Sequence, residues 1–226
     1  MIYDNIKKAI FLDRPNRFIA HVNLNGETKI VHVKNTGRCK ELLVPGSTVF
    51  VEEVLSSTRK TDYDLISVYK GDRLINMDSQ APNKVFGEWV KEGKFLPNIT
   101  KIRPETKYGN SRLDFYLETE TQKIVVEVKG VTLEENGIVR FPDAPTIRGV
   151  RHLEELCAAK KEGYESYAVF VVQMSPIIRF EPNDSTHPDF GRTLRQAEKE
   201  GVHILALDCI VTPNSMCIGK PVDVRL

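Results

Sequence analysis

Residues 110–133 read NSRLDFYLETETQKIVVEVKGVTL, and the fold of the chain turns on this stretch. Apolar and polar residues alternate on either side of ETETQ, which predicts β-strands at 111–117 and 123–131 joined by a polar turn. Side chains alternate faces along a strand. Ile124, Val126 and Val128 therefore share one face, with Val125, Glu127 and Lys129 on the other. In the first strand Leu113, Phe115 and Leu117 oppose Arg112, Asp114 and Tyr116. Pairing through the turn would bring Asp114 near Glu127 and Lys129. Charge is costly in a strand that buries a face, so this convergence needs a reason.

One reason is chemical. Two carboxylates held together repel, and ionising both is costly unless a cation sits between them. Mg²⁺ (or Mn²⁺) removes that penalty, taking one or two carboxylates together with water and phosphate oxygens. A lysine two residues beyond the glutamate points into the same space. There it can orient or deprotonate an attacking water, or stabilise charge on a phosphorane-like transition state. Acid, then acid-x-lysine on the next strand, is the arrangement of metal-dependent phosphodiester hydrolases of the PD-(D/E)XK type. Here it stands as Asp114, Glu127, Val128 and Lys129, with the Val128 carbonyl as a further metal ligand. The competing reading is a solvated strand edge carrying a cross-strand ion pair. Glu88, in a segment predicted to be helical, is the candidate third carboxylate, against an ordinary solvent-facing glutamate. Gln173, which ends the apolar run AVFVV, is either an amide that meets substrate or a simple strand end.

Upstream, residues 1–80 look all-β. RFIAHVNLNGETKIVHV is a hairpin about Asn25-Gly26, a dipeptide that tolerates positive φ at both positions. STVFVEEV and YDLISVYKGDRLINM add further strands, so an OB-like β-barrel is expected, with ELLVPGS as a short helical turn and Phe18 and Phe50 in its core. DSQAPNK, residues 78–84, marks the boundary. Asn83 is the predicted cap of a helix over KVFGEWVKEG, with Val85, Trp89 and Val90 on its apolar side and Gly93 as its stop. Beyond it, helices at 147–162 and 189–200 alternate with the strands SYAVFVVQM and HILALDCIV. That alternation predicts a mixed-sheet domain over 81–226. The expected class is α/β (α+β overall): an OB-like barrel, then a nuclease-like mixed sheet.

With 226 residues, 41% hydrophobic and 28% charged, the chain can build a substantial core. A net charge of +1 excludes a global basic field, so any nucleic-acid surface must be local. Cys39, Cys157, Cys209 and Cys217 form no CxxC pair and read as buried free thiols of a reducing compartment. The five histidines are far apart in sequence, which argues against a histidine metal site. MIYDNIKKAIFLDRPNRF does not read as a secretory signal, and no window approaches the ~20 apolar residues of a membrane helix. A cytoplasmic location, away from membranes, is expected.

Basic residues gather in three places. TKIVHVKNTGRCK carries Lys29, Lys34, Arg38 and Lys40 without an acid, around an Asn35-Thr36-Gly37 turn whose amides suit a phosphate oxygen. In FPDAPTIRGVRHLEEL, Thr146 is a predicted helix cap and Arg148, Arg151 and His152 follow it. Cations oppose the dipole at a helix start, so an anionic partner explains them better than helix stability. Lys101, Arg103, Lys107 and Arg112 lead toward Asp114. Each group also fits an ordinary solvated surface.

HVKNTGRCKELLVPGS, GNSRLDFYLE, VVEVKGVTL, RFPDAPTIRGVRHLEEL and AVFVVQM, in this order, resemble the sugar fermentation stimulation protein A family over residues 10–224. The resemblance implies an N-terminal OB-like domain, a PD-(D/E)XK nuclease-like C-terminal domain and sequence-independent DNA binding. It places the acid pattern on Asp114, Glu127 and Lys129, with Glu88 as the helix acid. DNA contacts are then expected from Lys34, Arg38, Lys40, Arg112, Arg148, Arg151 and Gln173. Three functions follow: a Mg²⁺-dependent nuclease, a non-catalytic DNA-binding regulator of sugar (maltose) use, or a hydrolase or binder of a small phosphorylated metabolite.

Overall fold

The protein is described by a computed structural model covering residues 1–35, 37–55, 58–108 and 111–226, with only the backbone of Ser111. Thr36, the centre of the predicted phosphate-binding turn, lies outside the described residues, as does Asn110 before the first strand of the opening stretch.

The first sheet contains β1 (Ile6–Asn16), β2 (Ile19–Leu24), β3 (Glu27–Val33), β4 (Thr48–Glu53), β5 (Tyr63–Lys70) and β6 (Arg73–Asn76) in the order β3-β2-β1-β4-β5-β6. A parallel contact, His32↔Asp64 and Val33↔Leu65, joins β3 to β5 and closes the barrel. Asn25 and Gly26, with φ of 54° and 89°, make the turn between β2 and β3, as their tolerance of positive φ predicts. Ala20, Val22, Val31, Val49, Val51 and Leu65 fill the interior. β1 was not predicted. Lys7, Lys8, Asp13 and Arg14 obscure its pattern, and its pairing with β2 shifts register twice between Phe11 and Asn16. Only Ala9 and Phe11 of this strand are buried. Phe50 is buried as expected, but Phe18 is 51% exposed on the barrel surface and is not core.

Helix α1 (Ala81–Lys91) follows. It starts before Asn83, from Gln80, because Pro82 is tolerated in a first turn whose N–H groups need no intrahelical partner. Asn83 is therefore inside the helix and does not cap it. The helix stops ahead of Gly93, whose φ is 69°. Next come β7 (Lys101–Tyr108), β8 (Ser111–Glu118), β9 (Lys123–Val131), β10 (Glu134–Glu135), β11 (Ile138–Phe141), α2 (Ile147–Lys161), β12 (Glu165–Val172), β13 (Arg179–Pro182), α3 (Pro188–Lys199), β14 (His203–Thr212) and β15 (Ser215–Val224). Their sheet runs β10-β11-β13-β15-β14-β12-β9-β8-β7, with β9, β12 and β14 parallel to one another, β7 and β8 antiparallel to their neighbours, and β15 antiparallel to β14 but parallel to β13.

The two faces of this sheet carry two apolar cores. Ile124, Val126, Val128, Val169 and Val171 pack with Val85, Phe86 and Val90 of α1. Val125, Val131, Ala168, Phe170 and Val172 pack with Leu153 and Leu156 of α2 and Phe190 and Leu194 of α3, and this core continues into the barrel interior. One expectation fails in β8. Phe115 and Leu117 lie in the α1 core, but Leu113 lies in the other, so the alternation of faces breaks at Asp114. Among the described residues no helix is long and apolar enough to cross a membrane.

Candidate metal and phosphate site

The break at Asp114 builds the site. β8 pairs with β9 from Glu118↔Lys123 as far as Phe115↔Val126, while residues N-terminal to Phe115 pair only with β7. The Asp114 carboxylate occupies the gap. Its Oδ2 accepts from the Val128 N–H at 2.8 Å, standing in for a missing strand carbonyl, and its Oδ1 accepts from Asn83 Nδ2 at 2.8 Å. The N–H and C=O of one strand residue point to the same side, so the Val128 carbonyl opens on the same gap. Asn83, freed from capping, is thus a site residue that the sequence reading assigned elsewhere.

Glu127 is 3% exposed on the α2 side of β9. Its Oε1 accepts from Lys129 Nζ at 2.6 Å and from His152 Nδ1, which reaches across from α2. Its Oε2 is buried and has no hydrogen-bond partner among the described residues. Sequence reasoning missed His152 as a neighbour of Glu127. The only signal was its place in the second helical turn past the Thr146 cap, and Thr146 does cap α2, accepting from the Gly149 N–H at 3.0 Å.

The two acids titrate in opposite directions. Burial raises Asp114 above the ordinary aspartate value, the Glu127 charge adds to this, and the hydrogen bonds from Val128 and Asn83 do not compensate. Burial also works to raise Glu127, but the His152 hydrogen bond and the Lys129 charge outweigh it and hold Glu127 below its usual value. An orphaned buried carboxylate oxygen beside a carboxylate that resists ionisation fits a divalent cation. The groups that could hold such an ion are the Asp114 and Glu127 carboxylates and the Val128 carbonyl; among the described residues no group of three or more His, Cys, Asp or Glu side chains is placed to hold a metal. Such a set suits a hard ion that keeps water and phosphate oxygens.

Other predicted residues fall elsewhere. Glu88 does not join the acids: its carboxylate pairs with the Met1 ammonium at 2.6 Å, beside the Met216 carbonyl. Lys34 is no free DNA contact. It is largely buried, with Asp78 at 3.1 Å and Asp64 at 3.3 Å, and lies over the Tyr3 ring. Gln173 is 1% exposed, and its Nε2 donates to the Asn76 and Asp78 carbonyls, clasping the sheet to the end of the barrel. A Cβ at Gly130, next to Lys129, would sit 2.7 Å from Gln173 Oε1, so the clasp requires glycine there.

Arg38 and Lys40 are exposed as predicted, and with Arg14 and Arg17 they line a groove of about 470 Å³ on the barrel. Arg14 shapes this groove by donating to the carbonyls of Arg17, Asn35, Gly37 and Arg38. Arg112 is exposed and pairs with Glu105 at 2.9 Å, and Lys101 pairs with Glu118. Arg148 and Arg151 are exposed at the start of α2. All four cysteines are free, and Cys217, against expectation, is exposed.

Two domain families match the chain in sequence: the SfsA N-terminal OB domain over residues 12–77, and the sugar fermentation stimulation protein RE domain over residues 80–215. The chain belongs to the sugar fermentation stimulation protein family. Curated homologues of this family include one from Clostridium beijerinckii, 57% identical with the whole of both chains covered, and one from Desulfitobacterium hafniense (strain DSM 10664 / DCB-2), 59% identical over all of this chain and 99% of that one. In three dimensions the chain is similar to SfsA of Pyrococcus furiosus, solved in complex with Ca²⁺: the TM-score is 0.91 at 27% identity, covering 100% of this chain and 98% of that one. The family fold, a barrel followed by a mixed sheet with three helices, is thus the fold described above.

Proposed function

We propose that this protein binds DNA without regard to sequence and hydrolyses its phosphodiester bonds at Asp114, Glu127 and Lys129 with a divalent ion, Mg²⁺ or Mn²⁺. The observation that carries this reading is the buried Glu127 Oε2 left without a partner beside Asp114. The Ca²⁺ complex of the Pyrococcus relative supports an ion of the same class. When bound, such an ion supplies neutralising charge for the two carboxylates and Lewis-acid polarisation of a phosphoryl oxygen.

The chain's own groups do the rest. Asp114 and Glu127, with the Val128 carbonyl, hold the ion. Lys129, 16% exposed and anchored on Glu127 Oε1, orients the attacking water and stabilises charge on the phosphoryl oxygens. Arg17, Arg38 and Lys40 grip phosphates along the barrel, and the exposed Phe18 offers a ring on which a base can stack. Lys34, Gln173 and Glu88 are left out of these roles, since other partners occupy them.

Incubating the protein with single- and double-stranded DNA and Mn²⁺ tests the reading. Cleavage that disappears in Glu127→Gln, with DNA binding kept, is the expected result; no cleavage of either substrate overturns the hydrolytic step. One observation favours a second reading, DNA binding without cleavage: the helix acid Glu88 is turned away to Met1. Under it the same assay shows a metal-independent mobility shift and intact DNA.

A further inference from the structure

Glu127 could place its two oxygens in many ways, yet one of them takes every donor and the other none. The cause lies on α2. Arg148 Nε lies 3.2 Å from His152 Nε2. Arginine only donates, so Nε2 must be the acceptor and the imidazole proton must sit on Nδ1. Nδ1–H then donates to Glu127 Oε1, the oxygen that Lys129 Nζ also reaches at 2.6 Å. The 3.4 Å approach of Lys129 Nζ to His152 Nδ1 is a meeting of two donors that share one acceptor. With Oε1 doubly bonded and His152 itself 2% exposed, the carboxylate cannot rotate without breaking both bonds. At the other end of the chain Arg148 is exposed, and among the described residues neither it nor Arg151 has a carboxylate partner.

We propose that His152 is the positioning residue of the site. It holds Glu127 so that Oε2 stays free for a divalent ion, and it links that carboxylate to Arg148, whose exposed guanidinium binds a phosphate of the same nucleic-acid strand. This rests on the metal reading given above. Groups bonded to metal-binding carboxylates fix their orientation, and losing one costs about 10–100-fold in metal affinity. The series Arg148–His152–Glu127 also gives Arg148 a reason to open a helix against its dipole.

Two measurements test it. In the wild-type protein, ¹⁵N-imidazole spectra should show His152 as the neutral Nδ1–H tautomer; a proton on Nε2 with Nδ1 bare overturns the proposal, and this needs no variant to fold. By titration calorimetry with Mn²⁺, His152→Ala should bind about 10–100-fold more weakly than wild type. His152→Asn, whose side-chain N–H reaches the position of Nδ1–H, should recover most of the loss, which simple loss of packing would not allow. Arg148→Met should lower the slope of log affinity for DNA against log salt by about one. If wild type fails to bind Mn²⁺, the metal reading falls and this inference with it. If wild type binds and folded His152→Ala binds equally well, the positioning role alone is overturned.

Discussion

Glu127 and Glu134 are both buried glutamates served by a lysine, and they differ in one respect. Around Glu134 every oxygen is used: Oε1 meets Arg73 Nη1 at 2.6 Å and the Gly137 N–H at 2.6 Å, and Oε2 meets Lys70 Nζ at 2.9 Å. Burial works to raise this carboxyl, but Lys70, the Gly137 N–H and Arg73 outweigh it and hold it at about 2. Around Glu127 the donors crowd on one oxygen, and its neighbour Asp114 resists ionisation. The first arrangement is complete and ties the barrel strands β5 and β6 to β10. The second is short of positive charge. A buried acid is weak evidence of chemistry; a buried acid with an unused oxygen and a second carboxyl beside it that resists ionisation is stronger evidence.

The widest test of that contrast is stability. Glu134→Ala strands Lys70 and Arg73 in partly buried positions and should cost about 3–5 kcal/mol in urea unfolding. Glu127→Gln should cost clearly less, and equal losses would erase the distinction. Function should run the other way. Lys129→Ala should lower the rate of Mn²⁺-dependent DNA cleavage by about 10²–10³-fold, whereas Lys70→Ala, at the complete site, should change it little in protein that remains folded.

Acidity separates the two regions further. Glu134, held low in the folded state, contributes stability that is present above its ordinary value of 4.5 and is lost as pH falls toward about 2. Asp114, raised in the folded state, has the opposite sign: its contribution is present below the unfolded value and is lost as pH rises through the folded one. Metal-free Asp114→Asn should therefore be more stable than wild type near neutral pH, with Asn83 turning its amide to supply the oxygen. That margin should close on acidification, and a margin that widens in acid would contradict the assignment. The smallest effect is expected on the barrel. Arg38→Ala with Lys40→Ala should reduce the slope of log DNA affinity against log salt by about two. Lys34→Ala should leave the slope alone and lower stability instead.

Much of this was legible before any coordinates. Asn25-Gly26 marked its hairpin because few residue pairs accept positive φ twice, and alternation placed Glu127 and Lys129 on one face of β9. What escaped was whatever depends on where one element leaves another. Nothing in SRLDFYLE shows that β8 parts from β9 at Asp114, since both the paired and the parted strand keep the same polar pattern. Glu88 was misplaced because the phase of a helix about its axis is set by packing, which here turns it toward Met1. Lys34 looked like surface because its counter-charges, Asp64 and Asp78, come from distant segments. His152 was read as one more cation at a helix start, and its burial against Glu127 escaped for the same reason: its partner lies on another element, and helix spacing says nothing about what a helix face will meet.

The apolar core that fills the barrel runs without interruption into the layer beneath α2 and α3. The sequence changes character near residue 80, but the packing has no seam there. A barrel borrowed from a relative would have to fit the apolar core that the second sheet shares with it. The halves of this molecule are therefore expected to have diversified together, each constraining which substitutions the other can accept.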